Sequence, residues 1–416
     1  MNLTDVGFVV FVSVCMHSPH PIYLDNNAST NVDPAVFAVM AEWLDGTRWG
    51  NPHAGHFMGA AARAAMDKAR SQVKAVFGLG SDWTCLFTSS ASESNNLAVK
   101  GVVFNVLRKQ KEPVTILSTQ VEHGSIDSGL QWLVDLFGSD RVRVVRFPVN
   151  EHAIIDLAAA EQLLRNTSKI ALVSCIHTVA ETGAVQPVSE LASLVRRLHP
   201  TAIFHSDAAQ SVGKLAKDEL ESLSSGDMIT VAAHKFHGPK GVGALLVRLS
   251  VLDLIDPLIH GAGQEMGKRG GSENVAFIVG LGQASEIAMN TTFPTGVAQE
   301  LWKTISSALT QVGIDHRLNS TAPVSSPATI NFSVAGLNGP AVVASAGNAP
   351  NSPICFSAGS ACHSRGCPVP SKVLAAMGLD VKYSASGLRL SIDKHMTLDA
   401  ARSAGEMVAK YLIGVI

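Results

Sequence analysis

The feature that most constrains this chain is a series of short apolar runs alternating with segments of helical periodicity. Val114–Leu117, Val142–Phe147, Ile170–Ile176, Ile203–His205, Met228–Val231 and Ala244–Val247 read as strands. Between several of them lie helical segments such as Ala158–Arg165 and Val188–Leu198. Ala60–Phe77, ahead of the series, sets Ala65, Ala69 and Val73 on one side and Arg63, Lys68 and Arg70 largely elsewhere, which is amphipathic helix. Buried strands alternating with helices predict an α/β fold, a mostly parallel sheet covered by helices on both faces. Functional side chains are then expected at strand ends and in the loops after them.

The texture changes after His260. A Gly-rich stretch, His260 to Gly271, precedes a helical segment from Val275 to Met289, and Ala328–Val334 and Leu388–Ile392 read as strands of a smaller α+β unit. The expected division is a disordered extension over 1–20, a large domain over 21–260 and a small domain over 261–416, with the first strand region packing on the small domain. With 32 Lys and Arg against 34 Asp and Glu, the net charge of −2 gives no electrostatic case for nucleic acid or a membrane surface. The apolar run Val6–Val14 is too short to span a bilayer and lacks the basic residues of a secretory or transit signal. Met16 offers a second possible start, and a cytoplasmic location is expected, with mitochondrial or nuclear addresses left open. The six cysteines form no Cys-x-x-Cys pair, so neither a structural metal nor a disulfide framework is expected, and a reducing compartment fits.

Five places carry chemistry. Lys235 follows the run Met228–Val231 and precedes Gly238-Pro239, which suits an amine held in a cleft, although a solvated lysine beside a turn reads the same way. Asp207 ends another run. A carboxylate there could face the pyridinium nitrogen of pyridoxal 5'-phosphate (PLP), or it could cap a helix. The hydroxyl-rich Thr88 to Ser94, entering a helix, offers main-chain N–H groups to a phosphate, or a plain serine cap. His123 could stack on a cofactor ring and move protons, or be structural. Cys362 sits among small and polar residues from Phe356 to Gly366, near Arg365, as an accessible nucleophilic thiol would. Cys355 and Cys175 read as core residues, and Cys367 as a bystander.

Together these motifs resemble the cysteine desulfurase and selenocysteine lyase family of PLP enzymes, fold type I. The likeness runs from Tyr23-Leu24-Asp25-Asn26-Asn27-Ala28-Ser29-Thr30 to Gly387-Leu388-Arg389-Leu390-Ser391. It includes Gly50-Asn51-Pro52-His53, Ser92-Glu93-Ser94-Asn95-Asn96, Glu181-Thr182-Gly183, Asp207-Ala208-Ala209-Gln210, His234-Lys235 and the run from Gly263 to Asn274. Gly359-Ser360-Ala361-Cys362 resembles the family's catalytic-cysteine loop, expected over 356–368.

The resemblance implies roles. Lys235 would carry PLP as a Schiff base, Asp207 would pair with the ring nitrogen, Gln210 would bond the phenolic oxygen, and His123 would stack on the ring. His234, Ala91 and Ser92 would hold the phosphate. Ser272 would reach the phosphate of a neighbouring subunit, implying a homodimer. Arg389, assisted by Asn27, would grip the substrate carboxylate, and Lys235 or His123 would remove the α-proton. Cys362 would take sulfur or selenium from L-cysteine or L-selenocysteine, pass it to an acceptor protein and leave L-alanine.

Three departures stand out: Val179-Ala180 replace an Asn pair, Ala232 replaces a phosphate-binding Ser, and Ser92 replaces Thr. Cys362-His363-Ser364 and Ala232 lean the expectation toward selenocysteine lyase, with cysteine desulfurase as the alternative and a non-catalytic scaffold of this fold behind both. A nicotinamide enzyme is not expected, because Gly238-Pro239-Lys240-Gly241-Val242-Gly243 lacks the dinucleotide fingerprint and precedes a strand. An aminotransferase would have no need of the Cys362 loop.

Overall fold

The computed structural model of the protein describes residues 21–347, 354–358 and 370–416. The expected extension over 1–20 lies outside these residues, and so does most of the expected cysteine loop, including Cys362.

The first strand is β1 (Ile22–Tyr23). A seven-stranded sheet follows, built from β2 (Trp83–Thr88), β3 (Val114–Thr119), β4 (Val142–Phe147), β5 (Ile170–Ile176), β6 (Ile203–Asp207), β7 (Met228–Ala232) and β8 (Gly243–Arg248). The order across it is β2-β8-β7-β6-β5-β3-β4. Strand β8 runs antiparallel to both neighbours, and the other pairings are parallel. Alternate side chains enter two different cores, one on each face. Cys85, Phe87, Val173, Cys175, Ile229 and Val231 join one. Leu86, Ile116, Leu172, Met228, Leu245 and Val247 join the other. Burial on both faces is why these strands read as continuous apolar runs.

A second core covers one face of a three-stranded antiparallel sheet, in the order β12-β10-β9. These strands are β9 (His316–Leu318), β10 (Thr329–Val334) and β12 (Gly387–Ser391). Helices Val297–Gln311 and Leu398–Val415 close it with Leu301, Ile305, Val408 and Leu412. β1 pairs in parallel with β11 (Ile354–Cys355), and Leu24 is buried in this second core.

The expected boundary at 260 falls too early. Helix Val275–Met289 belongs to the large core, where Ile278, Leu281 and Ala284 pack with Met66, Ala69 and Val73. Two glycines allow that approach. A Cβ on Gly282 would lie 2.8 Å from Ala69 Cα, and one on Gly280 would lie 2.7 Å from Met40 Sδ. After Leu24, the next buried residue of the second core is Phe293.

Candidate active site

The parallel strands deliver their C-terminal ends to one place. β6 ends on Asp207, β7 runs through Ala232 into a short turn Ala233–Lys235, and β12 carries Arg389 from the smaller sheet. Lys235 is largely buried, and its Nζ donates to the main-chain oxygens of Asn27 (2.7 Å) and Ala28 (2.9 Å). Burial, with the nearby Arg389 guanidinium, lowers its pKa to about 8 against the pull of Asp207 and Asp25. The amine is therefore neutral in part near physiological pH, as a nucleophile needs.

Asp207 is buried and doubly held. Its Oδ1 accepts from Ala209 N at 2.9 Å, and its Oδ2 accepts from Asn95 Nδ2 at 2.7 Å. Asn95 also donates to Ser125 Oγ (2.9 Å), which lies 2.8 Å from His123 Nδ1. The local reading of His123 holds in part, because its Nδ1 caps helix Gly124–Phe137 by accepting from Ser125 N at 3.1 Å. That bond places the hydrogen of neutral His123 on Nε2. His123 remains exposed, with its ring free to meet a ligand.

Helix Ala91–Lys109 presents its N-terminal end beside β8. Ser90 is its N-cap, and its hydroxyl accepts from Glu93 N. The N–H groups of Ala91 and Ser92 have no earlier helical carbonyl to bond, and they stand at the positive end of the helix dipole. Glu93 turns back to Ser89 N (2.7 Å) and pairs with Arg269 Nε (2.9 Å), which fixes the turn. β8 passes directly beneath. A Cβ on Gly243 would lie 2.6 Å from Ser90 C and 2.8 Å from Ala91 N. His234 bonds Ser29 Oγ at 3.3 Å, and burial, with Lys235 beside it, lowers its pKa to about 4, so it is a neutral imidazole.

Arg389 is buried between units. Its Nη2 pairs with Asp25 Oδ1 (2.9 Å) and its Nη1 donates to Ala180 O (3.3 Å), while Nε has no partner among the described residues. Asn27 joins the same carbonyl, with Nδ2 3.1 Å from Ala180 O and 2.8 Å from Thr329 Oγ1. Position 180 thus contributes through its main chain, although its side chain is only a methyl. Gln210 Nε2 donates to Asn27 O at 2.9 Å. Ser272 is exposed, three residues past Arg269. Cys362 lies outside the described residues, but the segment leading to it starts beside Arg389, because Ser357 N donates to Arg389 O (3.2 Å) and Arg389 N to Ser357 O (2.7 Å).

Four side chains here were not singled out in the sequence. Asn95 sits one helical turn after Ala91, on the same face, a spacing that could have flagged it. Lys214 follows Gln210 by four residues and donates to its Oε1 at 2.5 Å. Asp25 holds Arg389. Glu122, next to His123, is buried, and its Oε1 accepts from Thr119 Oγ1 (2.9 Å) and Ile176 N (2.8 Å). Burial pushes its pKa up to about 8.

The arrangement offers an amine that can lose its proton near neutrality, a buried carboxylate, a helix end for one anion and an arginine for another. The comparisons agree with the sequence resemblance. Residues 22–401 match the family model described as aminotransferase class-V. The chain is 36% identical to a cysteine desulfurase of Nostoc sp. over 378 residues, which is 90% of this chain and 89% of that protein. It is similar to a solved NifS-like protein with a TM-score of 0.79 and 29% identity, covering 95% of this chain and all (100%) of that one. It is also similar to a structure of SspA in complex with cysteine, with a TM-score of 0.72 and 29% identity, covering 90% of this chain and 100% of that one.

Proposed function

The chain belongs to the class-V aminotransferase family, and from that premise we propose that it is a PLP enzyme that takes sulfur from L-cysteine, leaving L-alanine and a persulfide on Cys362. The observation that carries this reading is Lys235, a buried amine with its pKa lowered to about 8, set between the strand end bearing Asp207 and the region below helix Ala91–Lys109. The close passage of Gly243 under Ala91 N supports the cofactor assignment, because it keeps the helix end low over the sheet, within reach of a phosphate on a ring seated at the strand ends.

When bound, PLP supplies an electron sink for the carbon next to the substrate's nitrogen. The chain's residues do the rest. Lys235 would hold the cofactor covalently, and Asp207, braced by Asn95, would keep the ring nitrogen protonated. Ala91 and Ser92 N–H, with His234, would hold the phosphate, and the Gln210 amide would face the phenolic oxygen. Arg389 would present its guanidinium to the substrate carboxylate, with Asp25 and the Ala180 carbonyl setting its angle. Lys235 would carry the α-proton, while His123, whose Nε2 already bears its hydrogen, could only donate one. The Cys362 thiolate would then attack the substrate sulfur. An S–S bond forms, the C–S bond breaks, and the carbon, once protonated, leaves as alanine. A sulfur acceptor protein would empty the persulfide.

Sulfur replaces selenium as the first reading because the curated relative is a cysteine desulfurase. Selenocysteine stays the second reading on Cys362-His363-Ser364. Alanine formation from both amino acids, by the wild type and Cys362→Ala, separates the two. Cysteine turnover that depends on Cys362 is expected. Turnover of selenocysteine alone, persisting in Cys362→Ala, would reverse the order.

A homodimer is part of the proposal. Phe37, Leu44, Trp49, Phe57 and Met266 are exposed apolar side chains on one chain, with Trp49 71% and Phe57 83% exposed. Covering such residues with a second copy is favourable. Sedimentation at a single-chain mass would count against it.

A further inference from the structure

Lys214 is a lysine buried as deeply as the core, and the reaction proposed above gives it no task. Its Nζ donates to Gln210 Oε1 (2.5 Å) and to Asn27 Oδ1 (2.8 Å). Among the described residues it makes no salt bridge, so both its acceptors are neutral amide oxygens. Burial, and then the charges of Lys235 and Arg389, hold its pKa well below the usual lysine range. Two acceptors face its nitrogen.

A primary amide can be turned end for end with almost no change of shape, while its donor and acceptor ends exchange. Lys214 removes that freedom. With Oε1 of Gln210 engaged by the amine, Nε2 must lie on the other side. There it donates to Asn27 O at 2.9 Å, the same oxygen that Lys235 Nζ reaches at 2.7 Å. Asn27 is fixed in the same way, with Oδ1 on Lys214 and Nδ2 on Ala180 O and Thr329 Oγ1.

We infer that Lys214 is a positioning residue, which donates to Gln210 and Asn27 so that the NH2 end of Gln210, and not its oxygen, shares the Asn27 carbonyl with Lys235. The inference rests on the proposed attachment of PLP at Lys235. A flipped Gln210 would set an acceptor beside the Lys235 nitrogen and hold a proton on it. With the donor end presented, that nitrogen gives up its proton more readily, and an anionic phenolic oxygen finds a donor. The other charges around Lys235 are Arg389, Asp207 and Asp25, and a change at 214 leaves all three in place.

The test is a pH titration of the visible absorbance of the Lys235–PLP adduct in the purified holoprotein. Lys214→Met should raise the midpoint by about one pH unit. Lys214→Gln, which keeps one donor, should raise it less. In a Gln210→Leu background, Lys214→Met should move the midpoint by under about a third of that amount, as expected when two residues act through one contact. An unchanged midpoint in Lys214→Met overturns the inference. So does an equal shift in the Gln210→Leu background, which would mean that Lys214 acts by charge alone. If circular dichroism shows that Lys214→Met does not fold, Lys214→Gln alone and in the Gln210→Leu background carries the same comparison. A wild type without a borohydride-reducible adduct at Lys235 would remove the proposed function itself. A wild type with that adduct and a Lys214→Met midpoint that stays still would remove only the role of Lys214.

Discussion

Asn95 and Asp207 are joined across 2.7 Å, amide to carboxylate, so that the second turn of a helix braces the end of a strand 112 residues away in the chain. The bond couples two halves of the site. The helix that carries Asn95 also offers Ala91 and Ser92 to a phosphate, while Asp207 addresses the ring. Asn95→Ala leaves Asp207 Oδ2 short of its donor in a buried setting. Hydrogen bonds to charged groups contribute about 1.5–3 kcal/mol, so PLP affinity should fall by about tenfold or more. Equilibrium dialysis of the holoprotein measures it. Asn95→Asp should lose more, because a second carboxylate replaces the donor.

The lowered pKa of Lys235 sets a pH dependence for cofactor loading. Only the neutral amine attacks an aldehyde, and its fraction rises as pH passes about 8 instead of the ordinary 10.5. The rate at which apoprotein takes up PLP should climb through that midpoint and level off above it. Asp25→Asn and Asp207→Asn each remove a charge that raises the pKa, so both should move the midpoint down. A rate still climbing toward pH 10.5 would contradict the buried setting of Lys235.

Much of this was legible in the chain, for physical reasons. β5 (Ile170–Ile176), buried along nearly its whole length, matches its apolar run residue for residue, and so does the edge strand β4 (Val142–Phe147), whose buried Val142 and Phe147 mark its ends although Arg143 and Arg146 interrupt it. Lys235 and Asp207 were found because strand ends announce themselves in sequence, whereas Arg389, in the middle of β12, was named only through the family resemblance. The domain boundary was misplaced because the Gly-rich stretch at 260–271 looks like a linker. Whether the following helix packs backward or forward depends on the close approaches at Gly280 and Gly282, which no periodicity encodes. Lys214 and Glu122 were passed over for a related reason. A buried lysine and a buried glutamate look like surface residues until the fold removes their water.

Glu122 gives a stability signature. Its pKa rises from 4.5 to about 8 on folding, through burial. Between those values the native state holds a proton that the unfolded chain has lost, so this group's contribution falls as pH rises. Below 4.5 both states are protonated, and above about 8 neither is. Glu122→Gln has no charge to bury. Its free energy of unfolding minus that of the wild type should increase from pH 4.5 to 8, the variant gaining relative stability, and then stay flat, as read from urea unfolding at each pH. A constant difference would mean that Glu122 is ionised in the fold throughout.

Arg389 predicts a split between binding and turnover. Its guanidinium is oriented by Asp25 and Ala180 O and its Nε has no partner among the described residues, so it can engage a carboxylate with a planar fork. Arg389→Lys retains the charge and loses the fork. KM for cysteine should rise by about tenfold to a hundredfold with a smaller change in kcat, because the lost contact holds substrate and transition state alike. Equal losses in kcat and kcat/KM would instead place Arg389 in the chemical step.

Gly243→Ala tests the phosphate end alone. The new Cβ would meet main-chain atoms, Ser90 C at 2.6 Å and Ala91 N at 2.8 Å, so the strand or the helix start must move. Forced overpacking of this kind costs about 1–3 kcal/mol, which should appear as a lower Tm. The shift lifts Ala91 and Ser92 away from the strand ends, so PLP should dissociate faster. The charges that set the Lys235 pKa, on Arg389, Asp207 and Asp25, are untouched by this change, so the pH midpoint of cofactor loading should stay where it is in the wild type. Gly414→Ala, at a glycine where a Cβ would meet nothing within 4 Å, is the control and should lose neither stability nor cofactor. If Gly243→Ala kept wild-type PLP retention at a reduced Tm, the phosphate would have to be held by groups other than this helix start.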